Sequence, residues 1–223
     1  MNKLPTISVV IPTLNASLVL ETCLERINAQ NYPSELVEIV IADGGSTDGT
    51  VELAKNYGAR VVENKLKTGE AGKAAGFHAA KNELIALIDS DNYLPDPSWF
   101  KRMVEPFQDG EVVGSEPWEY TWRAEDGFID RYCALMGMND PLCYFTGNYD
   151  RQNILSGHWT AIDLKEENKG VWLKVTLAGE KLPTIGANGT VLRKEFLEDL
   201  GVGDYLFDID LIAQAVVRRG DVK

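Results

Sequence analysis

Residues 84–92 read Leu-Ile-Ala-Leu-Ile-Asp-Ser-Asp-Asn, and this stretch decides the fold. Its first five residues are all apolar, which is typical of a strand buried on both faces in the middle of a parallel sheet. Two aspartates, Asp89 and Asp91, follow at once. Because residues two apart in an extended segment point to the same side, the pair predicts two carboxylates aimed at one point beyond the end of a central strand.

The hundred residues around this strand alternate between short apolar runs and segments of helical period, which is the pattern of βαβ units. Strands are predicted at residues 7–11, 37–42, 60–63 and 84–88, and helices at about 16–30, 50–57 and 70–81. Pro12 is expected to end the first strand, since proline has no backbone N–H to donate. The pattern predicts an α/β fold with a mostly parallel central sheet flanked by helices.

After residue 96 the pattern loosens into a long aromatic-rich region, residues 118–182, of weak periodicity. It is preceded by a predicted helix near 97–107 and strand near 112–115, and followed by a strand within 184–193 and helices near 194–200 and 208–219. We expect a single domain over residues 1–223, with a nucleotide-type half at 1–115 and a variable, substrate-type half at 116–223. A strand is starting where the chain stops, so we expect the natural protein to continue downstream.

Composition excludes several classes of protein. With 22 basic and 34 acidic side chains the net charge is −12, which repels phosphate backbones and argues against nucleic acid as a partner. The cysteines, Cys23, Cys133 and Cys143, lack the spacing of a zinc or redox motif and suggest a reduced, cytoplasmic setting. No apolar run reaches the ~20 residues that span a bilayer, and a membrane anchor further downstream stays open.

Polar residues follow three of the predicted strands, at Thr13-Leu14-Asn15, Asp43-Gly44-Gly45 and residues 89–92. In parallel sheets ligands bind beyond the carboxyl ends of the strands, so these loops predict a site for a ligand that is part base, part sugar and part metal-bridged phosphate. Paired carboxylates suit Mg²⁺ or Mn²⁺. The alternative for residues 43–49 is a turn and helix cap without further function.

Five segments resemble the signatures of the family 2 glycosyltransferases, which have the GT-A fold. In chain order they are Val9–Asn15, Ile41–Thr50, Gly72–Gly76, Ile88–Asn92 and the Gly-Ala-Asn-Gly of 186–189 through Arg193. Two positions depart from the family pattern. Gly44 stands where the second Asp of a D-D pair is usual, and Phe207 stands where the Glu of a late Glu-Asp pair is usual.

The resemblance implies a metal-dependent, inverting transfer of a sugar from a UDP- or GDP-sugar to a hydroxyl or lipid-phosphate acceptor, such as a glycan or a polyprenyl phosphate. The residues implied in donor binding are Pro12, Thr13, Asn15, Asp43, Gly45, Lys73, Asp89 and Ser90. Asp91, with Asp89, would hold Mg²⁺ or Mn²⁺. Residues 116–223 would bind the acceptor, and the enzyme would work in the cytoplasm, with the cytoplasmic face of a membrane as an alternative.

The catalytic base implied by the resemblance is Asp208, with Asp210 as the alternative. A base deprotonates the acceptor hydroxyl while a Lewis acid on the opposite side stabilises the leaving diphosphate. The competing interpretation of both aspartates is an N-cap with a first-turn acid. Two other functions stay open: a phosphohydrolase with Asp89 as nucleophile, and a non-catalytic nucleotide-binding relative whose base has been lost.

Overall fold

The structure is a computed structural model that describes residues 3–138, 142–147, 151–183, 185 and 188–223. It divides into two compact units, Met1–Ser115 with Ala187–Phe207 and Glu116–Gly186 with Asp208–Lys223, called unit 1 and unit 2 below. The first division falls at the predicted boundary between residues 115 and 116. Residues 187–207, which the sequence analysis placed in the second half, belong to unit 1. The single domain over 1–223 stays a prediction.

The described strands are β1 (Ile7–Thr13), β2 (Val37–Asp43), β3 (Arg60–Glu63), β4 (Leu84–Leu87), β5 (Gly114–Ser115), β6 (Lys165–Asn168), β7 (Leu173–Ala178), β8 (Thr190–Arg193) and β9 (Asp221–Val222). The α-helices are α1 (Ser17–Asn28), α2 (Thr50–Asn56), α3 (Gly69–Ala79), α4 (Trp99–Val104), α5 (Phe128–Met136), α6 (Leu142–Thr146), α7 (Lys194–Leu200) and α8 (Asp208–Arg219). Short 3₁₀ turns lie at Ser34–Leu36 and Glu105–Gln108. The predicted elements of unit 1 are present, with ends shifted by a few residues.

Unit 1 is built on a six-stranded sheet in the order β3-β2-β1-β4-β8-β5. The strands β1 to β4 are parallel to their neighbours, while β8 is antiparallel to both β4 and β5. The residues of β4 are buried, and the strand lies between β1 and β8. The predicted α/β fold with a mostly parallel sheet is therefore confirmed, as is the central place of β4.

Pro12 does not end the first strand, which continues to Thr13. Pro12 and Thr13 stay in register with Ala42 and Asp43 of β2, whereas the pairing with β4 stops at Val10. Successive residues of a strand point their backbone groups to alternate neighbours, and the carbonyl of Val10 accepts from Ile88 on the β4 side. The missing N–H of Pro12 therefore faces the side on which the ladder has already ended, and it costs no hydrogen bond.

Helix α3 packs directly on β1 because two of its residues are glycines. A Cβ at Gly72 would lie 2.6 Å from the Cβ of Pro12, and a Cβ at Gly76 would overlap the side chain of Val10. Real carbon atoms do not approach so closely, so the two glycines set the distance between helix and sheet. The position of α3 beside the end of β1 follows from them.

In unit 2, the region 118–182, whose sequence has weak periodicity, contains helices and strands that the sequence analysis did not predict. Unit 2 contains α5, α6 and a three-stranded antiparallel sheet in the order β6-β7-β9. Helix α5 was not predicted from the sequence; it has only nine residues, and its first two, Phe128 and Ile129, are 83% and 72% exposed. Among the residues that the structure describes, no helix combines the length and apolar character needed to cross a membrane.

Candidate active site

The loops that follow β1, β2 and β4 leave the sheet at the same edge. The strands are neighbours in the order β2-β1-β4, and Thr13 lies in register with Asp43. Gly44 N donates to Thr13 O at 2.8 Å, which joins the first two loops. The predicted convergence of three polar loops at one edge of the sheet is therefore present within unit 1.

The carboxylate of Asp43 is buried and accepts four hydrogen bonds. Its donors are Thr13 Oγ1 at 2.9 Å, Gly45 N at 2.9 Å, Ser46 N at 2.8 Å and Ser46 Oγ at 2.5 Å. Burial by itself raises the pKa of Asp43, but the bonds from Ser46, Gly45 and Thr13 outweigh it and hold the pKa below its usual value. Asp43 is therefore an ionised residue that fixes the shape of the loop after β2.

Two residues near this loop have a left-handed backbone. Asn15 has φ +52° and Lys67 has φ +60°, and they are the only non-glycine residues with positive φ in the described part of the chain. Asn15 Oδ1 accepts from Thr47 N at 2.9 Å, and Lys67 N donates to Asn64 Oδ1 at 3.0 Å. Such backbone strain persists only where surrounding contacts enforce it, and it concentrates at functional sites.

A cavity of about 390 Å³ opens between the ends of β2 and β3. Its lining includes Asp43, Gly44 and Gly45 on one side and Asn64, Lys65 and Lys67 on the other. A Cβ at Gly44 would make ordinary contacts of 3.4 Å with Leu14 Cδ1, Lys67 Cα and Thr13 O. The cavity therefore combines an ionised acid, two lysines and accessible backbone, which suits a polar ligand.

A second cavity, of about 250 Å³, lies at the opposite end of β2 and β3. Its lining includes Tyr32, Glu38, Tyr57 and Arg60. Glu38 and Arg60 form an ion pair of 3.1 Å across it. The acids that follow the strands do not line this cavity, so the chemistry of the site belongs to the first cavity and the loop after β4.

The loop after β4 carries uncompensated negative charge. Asp89 Oδ1 lies 3.6 Å from Lys73 Nζ on α3, and the Lys73 side chain is 12% exposed. Burial raises the pKa of Asp89, and the carboxylates of Asp91 and Glu70 contribute to the rise against the opposing effect of Lys73. Asp89 thus has one ammonium group at 3.6 Å and two further acids within electrostatic range, in contrast to the four donors around Asp43.

Asn188 holds this loop from the other side of β4. Its Oδ1 accepts a 3.4 Å hydrogen bond from Asp89 N and a short one from Asn92 Nδ2, while Gly189 N donates to Leu87 O at 2.8 Å. The motif of residues 186–193 therefore contacts the acid loop because β8 pairs with β4. Arg193 has a structural task, since its guanidinium donates to the carbonyls of Val112 and Phe107 at 2.7 and 2.9 Å.

Residues 8–153 match the model of the family described as Glycosyl transferase family 2. The chain belongs to this family. The family 2 chain is 27% identical over 145 residues to the glycosyltransferase AglE of Haloferax volcanii, which covers 61% of this chain and 47% of AglE. It is 34% identical over 118 residues to the undecaprenyl-phosphate 4-deoxy-4-formamido-L-arabinose transferase of Aeromonas hydrophila, which covers 49% of this chain and 36% of that protein. The chain thus spans less than half the length of these relatives.

The solved structures also include similar folds. A mannosyltransferase of Pyrobaculum calidifontis, in complex with GDP-Man and Mn²⁺, superposes with a TM-score of 0.57 at 21% identity, covering 88% of this chain and 47% of the other. The predicted GT-A fold and the resemblance to the family 2 glycosyltransferases are therefore confirmed. At this identity the likeness concerns the fold alone.

The donor atoms of this family 2 chain fit a hard divalent cation. In the described residues no group of three or more His, Cys, Asp or Glu side chains is placed to hold a metal. Mg²⁺ and Mn²⁺ need only one or two carboxylates when phosphates and water complete the shell, and Asp89 with Asp91 supplies them. Cys23 does not compete with these carboxylates for the metal. Burial, with a smaller contribution from Asp91 and Asp89, raises the pKa of its thiol to about 12.

The structure places the predicted donor-binding residues on different elements of unit 1. Pro12, Thr13 and Asp43 lie at the ends of β1 and β2, and Asn15 and Gly45 lie in the loops that follow. Lys73 lies on α3, and Asp89 and Ser90 follow β4. Sequence reasoning missed the parts played by Lys67, Glu70 and Asn188. Only Asn188 had a signal, since it stands within a family motif, whereas residue type does not reveal the left-handed backbone of Lys67.

The predicted base lies in the other unit. Helix α8 begins at Asp208, as expected, and Asp210 in its first turn is exposed. The side chain of Asp208 lies outside the described part of the structure, as do Gly186 and Ala187 of the late family motif. Phe207, at the position of the family's usual Glu, stacks on Tyr205 with ring centroids 5.9 Å apart. The role of Asp208 stays a prediction.

Proposed function

We propose that the protein is a metal-dependent, inverting glycosyltransferase that moves a sugar from a UDP- or GDP-sugar to a hydroxyl or lipid-phosphate acceptor. The observation that carries this proposal is the charge beside β4. Asp91 and Glu70 lie close enough to Asp89 to act on its charge, and Lys73 Nζ lies 3.6 Å from Asp89. A diphosphate would be repelled by this group unless a divalent cation bound with it, and a metal-bridged diphosphate would be attracted.

The roles of the chain's own residues follow from where they lie. The cavity lined by the loop of Asp43 and by Lys67 would take the base and ribose of the donor, and Asn15 supports that loop through its bond from Thr47 N. Asp91 and Asp89 hold the cation, and Asn188 fixes the loop on which they stand. When bound, Mg²⁺ or Mn²⁺ neutralises the charge that develops on the leaving diphosphate.

Asp208 is the proposed base, which takes the proton of the acceptor hydroxyl as that oxygen attacks the anomeric carbon. The nature of the donor is supported by the GDP-Man and Mn²⁺ in the similar mannosyltransferase. The acceptor class is supported by the relative whose name specifies undecaprenyl phosphate. A lipid-phosphate acceptor would place the enzyme at the cytoplasmic face of a membrane, which is part of the proposal.

Thermal unfolding tests the donor and the cation together. We expect UDP or GDP with Mn²⁺ to raise the melting temperature, and a chelator to abolish the rise, because ligands that bind the native state stabilise it. ADP with Mn²⁺ serves as the control for unspecific diphosphate binding. If no nucleoside diphosphate stabilises the protein with or without Mn²⁺, the proposed function is wrong.

Asp208→Asn tests the base. We expect the rate of sugar transfer to fall by about 10² to 10⁴, with the affinity for donor unchanged, since a general base contributes that much and the amide cannot accept the proton. The matched control is Asp210→Asn, which changes the same charge two residues along the helix. A full loss in Asp210→Asn with normal activity in Asp208→Asn would transfer the role to Asp210. Donor binding by the wild-type protein without any turnover would instead support the non-catalytic alternative.

A further inference from the structure

Lys73 has a fixed place beside the acids of the β4 loop. It follows Gly72 on α3, and the contact of Gly72 with Pro12 and of Gly76 with Val10 sets the helix against β1. The Lys73 side chain is 12% exposed, and its Nζ lies 3.6 Å from Asp89 Oδ1. Packing of the backbone, rather than chance contact of a surface lysine, therefore brings this ammonium group to Asp89.

The ammonium group of Lys73 and a divalent cation would compete for the same carboxylate. Asp89 and Asp91 are the acids proposed to hold the metal, and Lys73 already neutralises part of their charge. A lysine has a flexible four-carbon stem and can turn its ammonium group to another anion nearby. The diphosphate of a donor, held by a metal on the same two acids, would be such an anion.

We propose that Lys73 is a positioning residue that makes metal binding dependent on the donor. Without donor it pairs with Asp89 and weakens the binding of the cation. With donor it turns to the diphosphate and leaves Asp89 to the cation. This inference rests on the proposed function. It adds that the metal binds tightly only together with the nucleotide.

The coupling has a definite sign in both directions. If the nucleotide raises the affinity for the metal by some factor, the metal raises the affinity for the nucleotide by the same factor. Lys73 contributes to this factor because binding of the metal releases it from Asp89, and binding of the nucleotide engages it with the diphosphate. Removing its charge should therefore strengthen the binding of metal alone and reduce the further gain on adding nucleotide. A lysine that only repels the cation would change the first quantity and leave the second unchanged.

The experiment measures the binding of Mn²⁺ by the loss of the free-ion signal in electron paramagnetic resonance. Wild-type protein is titrated alone and with UDP or GDP, together with Lys73→Gln, Lys73→Met and Lys73→Arg. Met keeps the apolar stem without the charge, and Arg keeps the charge. Lys55→Gln on α2 is the matched control, since Lys55 is an exposed helical lysine distant in sequence from the site. Circular dichroism and thermal unfolding verify that each variant is folded.

We expect Lys73→Gln and Lys73→Met to bind Mn²⁺ alone more tightly than wild type, by a factor of about 10, within the usual range of coupling between sites. Their gain in affinity on adding nucleotide should be smaller than that of wild type, whereas Lys73→Arg and Lys55→Gln should behave like wild type. Unchanged or weaker binding of Mn²⁺ alone by both uncharged variants would overturn the inference and leave the proposed function intact. A wild-type protein that binds no Mn²⁺ with either nucleotide would overturn both.

Discussion

The loop after β2 and the loop after β4 each carry an aspartate at the same edge of one sheet, yet their surroundings are opposite. Asp43 receives four hydrogen bonds from Thr13, Gly45 and Ser46, and these lower its pKa in spite of burial. Burial and neighbouring acids raise the pKa of Asp89, which has one ammonium group 3.6 Å away. The donors around Asp43 hold its loop in shape, whereas an acid with other acids near it is suited to bind a cation, which is the role we propose for Asp89.

The largest expected effect that tests this comparison comes from a substitution in the loop after β4. In Asp91→Ala we expect the transfer rate to fall by about 10² or more, because the cation that stabilises the leaving diphosphate loses a ligand. The Mn²⁺-dependent rise in melting temperature with UDP or GDP should disappear as well. Glu195→Ala, which removes an exposed acid from α7 of the same unit, should change neither quantity. Persistent Mn²⁺-dependent stabilisation in Asp91→Ala would mean that the cation binds elsewhere.

The same comparison predicts that a substitution in the loop after β2 lowers the stability of the fold. Asp43→Ala leaves the Thr13 hydroxyl and the amides of Gly45 and Ser46 without their acceptor. Of these donors the Thr13 hydroxyl is buried and the two amides are only partly buried, so we expect the free energy of unfolding to fall by about 1–3 kcal/mol, the cost of one unsatisfied buried donor. Urea unfolding of Asp43→Ala and wild type measures the difference. A loss of activity with unchanged stability would show that Asp43 contacts ligand rather than shaping the loop.

A measurement at acid pH separates the contribution of the Asp43 charge to stability from the contribution of its side-chain shape. Its pKa is lower in the folded protein than in the unfolded chain, where it is about 3.9, so the charge stabilises the fold above pH 4 and this stabilisation is lost as pH falls below it. Asp43→Asn keeps the shape and removes the titration. We therefore expect the stability difference between wild type and Asp43→Asn to shrink from pH 7 to pH 3. A constant difference would contradict the assigned pKa shift.

The sequence predicted where the two acid loops lie, after β2 and after β4, but not which groups surround each aspartate. Their positions could be inferred because each follows an apolar strand, and the strands of unit 1 bury their apolar residues in the usual way. Gly45, Ser46 and Asp91 are sequence neighbours of the two aspartates, whereas Thr13 on β1 and Lys73 on α3 come from other segments, and their distances depend on packing. Unit 2 was harder to predict, because its helix α5 has only nine residues, fewer than the about 11–18 residues over which a helical period is read from a sequence.

The smallest expected effect concerns the packing that keeps Lys73 near Asp89. A methyl group at Gly76 would overlap Val10, so Gly76→Ala must push α3 away from β1, and overpacking of this kind usually costs about 1–3 kcal/mol. Gly69→Ala is the matched control on the same helix, since a Cβ there meets no atom within 4 Å. We expect urea unfolding to show a loss in Gly76→Ala and none in Gly69→Ala. If both variants are as stable as wild type, α3 can move without cost, and the contrast between the two loops depends on charge alone, without support from the packing of this helix.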